Sequence, residues 1–593
     1  MKVKERKYTP DNLKWRLEDI FASDAEWEAE FTALSERLEE PAGFKGRLGG
    51  AEDALKCLKL QSELGWKSER LYVYARMRRD EDSSVPLYQG MSDRTRGLAV
   101  RLSAAFSFVA PELTKLSSET LAEWAARSEF SDFSYFLEVL EKHKAHILSE
   151  SEERLLASTG VFSGMFQTIF SMFDNADVRF GSVTDEKGRS TEVTHGTYSL
   201  LLQSPSEDVR KAAFEAMFGQ YKGHINTLAQ IYAGNVKKDC FYAKARGFSS
   251  ALEHSLFGEN TDPRAYRNLV DSISGNTKYM HRYIALKKKL LKRDVLNMYD
   301  LYMPLAENAE IKLSYEKAYE LFKESVSPLG SDYVSVLDEA YKGGWIDVAE
   351  NKGKRSGAYS WGVFGTHPYV LLNYQPNSHA VFTVAHEMGH AMHSYYSGGA
   401  QPYEKAGYEI FVAEVASTVN EVLLLKHLIK SANKKLKRYL LSYYADMFRT
   451  TVFRQTMFAE FELAAHTMEE NGQPLTAESL SDVYYALNKK YYGKAVRHNE
   501  LIRYEWARIP HFYTSFYVYK YATGLTAAVK IASDILSGKD GAAENYRKFL
   551  SAGGSMPPVD ILKLAGVDLT SAEPFEAAMT EFRNTLAELE SLS

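Results

Sequence analysis

Three titratable residues fall within five positions of an otherwise apolar stretch. They are His386, Glu387 and His390 in VFTVAHEMGHAMHSYYSGG, which runs from Val381 to Gly399. On a helix, histidines at i and i+4 leave the same face about one turn apart. Two imidazoles placed in this way can bind one tetrahedral zinc ion. Glu387 then stands beside the open coordination position, where it can take a proton from a metal-bound water. Val381, Phe382, Val384, Ala385, Met388, Ala391 and Met392 surround the motif, so the helix is expected to be buried. Buried histidine and glutamate need partners, which makes a solvated helix with unrelated polar residues the poorer reading.

A catalytic zinc needs a third protein ligand and one open position. The metzincin pattern would place glycine and histidine further along the same helix, but those positions hold His393 and Tyr396. A later segment, GYEIFVAEVASTVNEVLLLKHL, supplies Glu409, Glu414 and Glu421. Glu409 lies near the expected helix start, where a carboxylate suits the helix dipole. Glu414 is flanked by Val412, Ala413, Val415 and Ala416, where a lone carboxylate is costly unless paired or metal-bound. Glu414 is therefore the expected ligand. Glu421, two turns on along the same face, is the expected supporting group. Ser417 and Thr418 share that direction but read as hydroxyls bonded back to the helix. His393 is expected to support or pack rather than ligate.

The elements around the motif follow from local patterning. Asn377 or Ser378 can cap the histidine helix. Before it, YVLLNY (Tyr369 to Tyr374) reads as a strand, preceded by a loop with Gly357, Gly362 and Gly365. The strand is expected to offer its edge to an extended peptide. No Gly-Lys-Ser/Thr follows the glycine loop, which argues against phosphate binding. Elsewhere apolar residues recur at three- and four-residue spacing, so most of the chain reads as helix. DVRFGSVTDEKGRSTEV reads as a β-hairpin turning at Asp185 to Gly188. Ser204, Pro205 and Glu207 then have the pattern of a capping box opening the next helix. A boundary is expected near residue 195, giving an N-terminal helical lobe, 1–195, and a larger lobe, 196–593.

At 593 residues the chain exceeds one compact core. Its net charge of −6 gives no basic excess for nucleic acid, and no polybasic tract suits an anionic membrane. Two cysteines, Cys57 and Cys240, rule out a disulfide framework and favour a reducing compartment. No signal-peptide core and no run of about 18 apolar residues is seen, so a cytoplasmic protein without a membrane span is expected.

HEMGHAMH followed by IFVAEVASTVNE resembles the thimet-type zinc metallopeptidases, and within them the oligoendopeptidase F branch. WRLEDIFASDAEWEAEF, FRQTMFAEFE, IPHFYTSFYVYKYATG and FLSAGGSMPPVDILKLAGVD extend the likeness over nearly the whole chain, in the family's order. The resemblance implies one zinc per chain on His386, His390 and Glu414, with Glu387 as the catalytic glutamate. It implies a mainly α, two-lobed ellipsoid with a deep channel and a small sheet beside the histidine helix. It also implies that His511, Tyr519 and Tyr513 help to hold the oxyanion, a role that 38 tyrosines in the chain would not single out by themselves. His379 departs from the family, where many relatives carry an acidic residue. The expected activity is endopeptidase cleavage of short peptides by a Glu387-activated, zinc-bound water, in a monomer or weak homo-oligomer. The rivals are an exopeptidase on the same scaffold, with Arg497, Arg503 or Arg508 holding a peptide terminus, and a peptide-binding protein with structural zinc.

Overall fold

A computed structural model describes residues 3–305 and 311–592. The chain is mainly α-helical, and the strands among the described residues are short. Two compact units interleave along it. The first comprises Met1–Ala145, Glu310–Leu424 and Ile531–Gly566; the second comprises His146–Ala309, Leu425–Lys530 and Val567–Ser593. This division differs from the expected 1–195 and 196–593 segments. Burial of apolar surface is indifferent to chain order, so helices distant in sequence share one core.

The first unit is built around α1 (Ala51–Glu81). Its Leu58, Leu64, Leu71 and Met77 are buried in one cluster with Trp27, Leu98 and Trp124. Tyr369 and Leu371 join the same cluster from a three-stranded sheet. The strands are β1 (Ile346–Asp347), β2 (Tyr359–Trp361) and β3 (Tyr369–Leu371), in the order β1-β3-β2. β3 runs parallel to β1 and antiparallel to β2. The strand expected to offer an edge is therefore central, and β1 and β2 hold the two edges instead. At two residues β1 is too short to show alternation, so its pairing with β3 left no mark in the sequence pattern.

Helix α2 (Ser378–Ala400) begins where the Asn377 side chain accepts the Ala380 N–H at 2.9 Å. Helix α3 (Ile410–Ser431) packs against it at Gly389. A Cβ there would lie 2.5 Å from the Ser417 Cα and 2.7 Å from the Ala416 carbonyl oxygen, so only glycine permits this approach. Asn420 Nδ2 donates to the Ala385 carbonyl at 3.3 Å across the same interface.

In the second unit the expected hairpin forms, with Ser182–Thr184 antiparallel to Ser190–Glu192. Asp185 accepts the N–H groups of Lys187 and Arg189, and Gly188 takes φ +75° to close the turn. The expected capping box does not form. The helix starts at Glu207, after Ser206, and Ser204 instead accepts the Ser206 N–H at 3.1 Å and donates to Glu186 at 2.9 Å. The segment Glu150–Asp177 corrects the expectation that nothing is long and apolar enough to cross a membrane: by length and composition it is. Interspersed serines, threonines and glycines hid it from a search for an unbroken apolar run. It is divided into helices Glu150–Ser158, Gly160–Ser163 and Met165–Met172, with a π turn at Phe173–Asp177.

Candidate metal centre

α2 presents His386 and His390 on one face, with ring centroids 4.8 Å apart and planes at 84°. The close packing at Gly389 brings α3 within side-chain reach. Glu414 Oε2 lies 3.6 Å from His386 Nε2 and 3.8 Å from His390 Nε2. One donor atom from each of the three residues falls within 4.8 Å of the others. Two imidazole nitrogens and one carboxylate oxygen form a group that could hold a metal ion, one donor short of a closed tetrahedral site. Glu414 is half-exposed rather than enclosed by its apolar neighbours, because it points away from them toward the histidines.

Glu421 meets the other nitrogen of the first histidine, Oε1 to Nδ1 at 2.5 Å. That contact fixes the ring and leaves Nε2 to face Glu414, the arrangement common to metal-bound histidines. Burial opposes protonation of His386, but the Glu421 carboxylate outweighs it and, with the charges of Glu387 and Glu414, lifts its pKa to about 9. His390 is pushed down to about 3 by burial and by the charge on His386. It is thus neutral at ordinary pH.

Glu387 is buried, at 7% exposure. Burial raises its carboxyl; His386 lowers it; Glu414 and Glu421 raise it further; and the Ser360 N–H of β2 lowers it. The result is about 7. A carboxylate poised there can both take and return a proton near neutrality. The Ser360 amide escaped the sequence reading because a backbone donor leaves no signature in residue type.

His393 is fully buried, with its ring stacked 3.7 Å from Tyr408 at 9°. It lies outside the His386, His390 and Glu414 cluster. His379 is exposed at the start of α2.

His511, Tyr513 and Tyr519 lie in the second unit. Tyr519 is fully buried with its ring 5.1 Å from Tyr266, and Tyr513 is buried in a stack on Phe170 at 4.5 Å. His511 is half-buried, and its pKa is lowered by burial and by Arg454. Its partners are Tyr521, whose hydroxyl shares a 3.2 Å hydrogen bond with Nε2, and Tyr517, stacked at 5.9 Å. Tyr517 and Tyr521 are four apart and partly exposed, whereas Tyr519 falls between them on the buried side.

Comparison with known proteins places the chain among peptidases. A family profile described as peptidase family M3 matches residues 200–581, and one described as oligopeptidase F matches 112–180. Oligopeptidase PepF of Bacillus subtilis is 44% identical over 581 residues, covering 98% of this chain and 87% of that relative. An oligoendopeptidase F homolog of Lactococcus lactis is 39% identical, covering 100% and 99%. The crystal structure of oligoendopeptidase-F from Enterococcus faecium matches with a TM-score of 0.72 at 35% identity, over 96% of this chain and 99% of that one. A crystal structure from Chlamydophila abortus matches with a TM-score of 0.96 at 34% identity, over the whole of both chains.

Proposed function

The chain belongs to peptidase family M3, and from that membership we propose that it is a zinc endopeptidase acting on internal bonds of short oligopeptides. The observation that carries the reading is the convergence of His386, His390 and Glu414 beside a protonation-ready Glu387. Two nitrogens and an oxygen, with Glu421 orienting His386, suit zinc by donor type and number. When bound, zinc would polarise the scissile carbonyl and lower the pKa of a water at the open position.

The remaining work belongs to this chain's own side chains. Glu387 takes the proton from the attacking water and passes it to the leaving amine. Glu421 holds His386 in one tautomer. β2, at the edge of its sheet, can add an extended peptide by main-chain hydrogen bonds, which tolerates many side chains. The oxyanion role is proposed for His511, Tyr519 and Tyr513 on the family resemblance alone. The junction near residue 195, between the two family matches, is proposed as a boundary of sequence modules. A cytoplasmic location is proposed from the two cysteines, both free.

The test is to incubate zinc-loaded wild type and Glu387→Gln with a nine-residue peptide blocked at both ends and to map the products by mass spectrometry. Internal cuts by wild type, lost in the variant and with chelator, are expected. Trimming that starts only when a terminus is freed would replace this reading with an exopeptidase. Metal retained with no cleavage would replace it with a binding protein.

A further inference from the structure

A cavity of about 1130 Å³ within the first unit adjoins the metal cluster, with His390 and Glu414 in its wall. Trp361 and Phe364, at and beyond the end of β2, and Tyr403 line it with aromatic surface. Glu69 of α1 is also in the wall, and no lysine or arginine is among the lining residues.

Glu69 has an unusual position. It is partly buried, and burial raises its carboxyl above the ordinary value; the Tyr403 hydroxyl, its hydrogen-bond partner, offsets this only in part. Among the described residues no lysine or arginine forms an ion pair with it. A carboxylate held in a partly desolvated wall gains most from a cation arriving in the cavity. Aromatic faces attract the same kind of group through their ring quadrupoles. Tyr403 stands edge-on to Phe364 with centroids 5.6 Å apart, and Trp66 of α1 donates to the Phe364 carbonyl at 2.9 Å. The aromatic wall is therefore tied to the helix that carries Glu69.

We propose that Glu69 selects peptides that place a cation in this cavity beside the metal cluster. The cation is an ammonium or guanidinium group, from a lysine or arginine side chain or from the peptide's free amino terminus. The assignment rests on the peptidase reading above and adds a substrate class to it.

The test uses zinc-loaded protein and two series of nonapeptides blocked at both ends. One carries arginine and the other its neutral isostere citrulline, at each position in turn. A third set repeats the citrulline peptides with a free amino terminus. The readout is the ratio of kcat/KM between charged and neutral forms. The same ratio in Kd, measured by calorimetry on Glu387→Gln, separates recognition from turnover. Wild type is expected to favour the charged form about tenfold, the equivalent of one half-buried ion pair. The preference should fall at one fixed position from the cut bond if the side chain is the source, or follow the free terminus if that is the source. Glu69→Gln is expected to bring the ratio close to one, and Glu69→Lys to invert it, favouring citrulline peptides over arginine ones. Equal use of charged and neutral peptides by wild type, or a preference that survives in Glu69→Gln, overturns the assignment while leaving the peptidase reading intact. Failure of wild type to cut any peptide overturns both.

Discussion

The two sides of one small sheet treat buried charge in opposite ways. At β1, Asp347 is fully buried and held by Lys354 Nζ and Arg6 Nη2, each at 2.6 Å. The same Arg6 reaches Glu81 at 2.7 Å, and the Trp15 indole N–H donates to Glu81 at 2.7 Å. Both of these acids have a cation from the protein itself. At β2, Glu387 feels the charges of Glu414, Glu421 and His386, with one backbone N–H as its share of the sheet. The carboxylates on that side outnumber the fixed cations. A buried charge that is balanced internally serves the fold; one left unbalanced awaits a metal ion and a substrate.

The largest expected effect breaks the balanced side. Asp347→Ala leaves Lys354 and Arg6 without their shared acid and should cost about 3–5 kcal/mol of stability, read as a lower urea midpoint. A midpoint close to wild type would show that this cluster is not a structural device. On the other side, Glu387→Gln should lower kcat by at least about a hundredfold with zinc content unchanged by elemental analysis. Near-normal turnover would remove Glu387 from proton transfer. Glu421→Gln should weaken zinc binding by about 10–100-fold, measured by competition with a chelator, since it unties His386.

The smallest effect is a pH dependence. In metal-free protein the folded-state carboxyl of Glu387, at about 7, lies above its ordinary value of 4.5. The folded state binds the extra proton between these values. The stabilising contribution is thus complete below about 4.5 and is lost as pH rises through 7. Chelated wild type should lose more stability between pH 5 and pH 8 than chelated Glu387→Gln. Equal losses would mean that the carboxyl is not raised.

What could be read in advance depended on whether function was written in side-chain type and spacing. His386, Glu387 and His390 were legible as a group because three titratable residues in an apolar helix must each find a partner, and the four-residue spacing puts the two histidines on one face. Glu414 and Glu421 were legible as a pair because seven residues bring a helix back to the same face. The family resemblance extended this to a mainly helical fold. β3 misled because its apolar run is that of a strand buried on both sides, and its partner β1 is too short to notice. The burial of Tyr513 and Tyr519 was not legible, because a tyrosine-rich block does not say which ring turns inward. The Ser360 amide and the Asp347 cluster depend on approaches between residues far apart in sequence. So does the division into two units, which no local pattern records.

Gly389 has a consequence for how the centre responds to being emptied. The two histidines ride on one helix and keep their spacing whatever α3 does, whereas Glu414 keeps its place only while the backbones touch at that glycine. An ion held by all three is therefore a cross-link that closes the loop from His390 to Glu414 and lowers the entropy of the opened chain, as a disulfide would. Removing it should first be seen as faster amide exchange along α3, with α2 following later. The metal centre would then report how firmly the two helices are clasped.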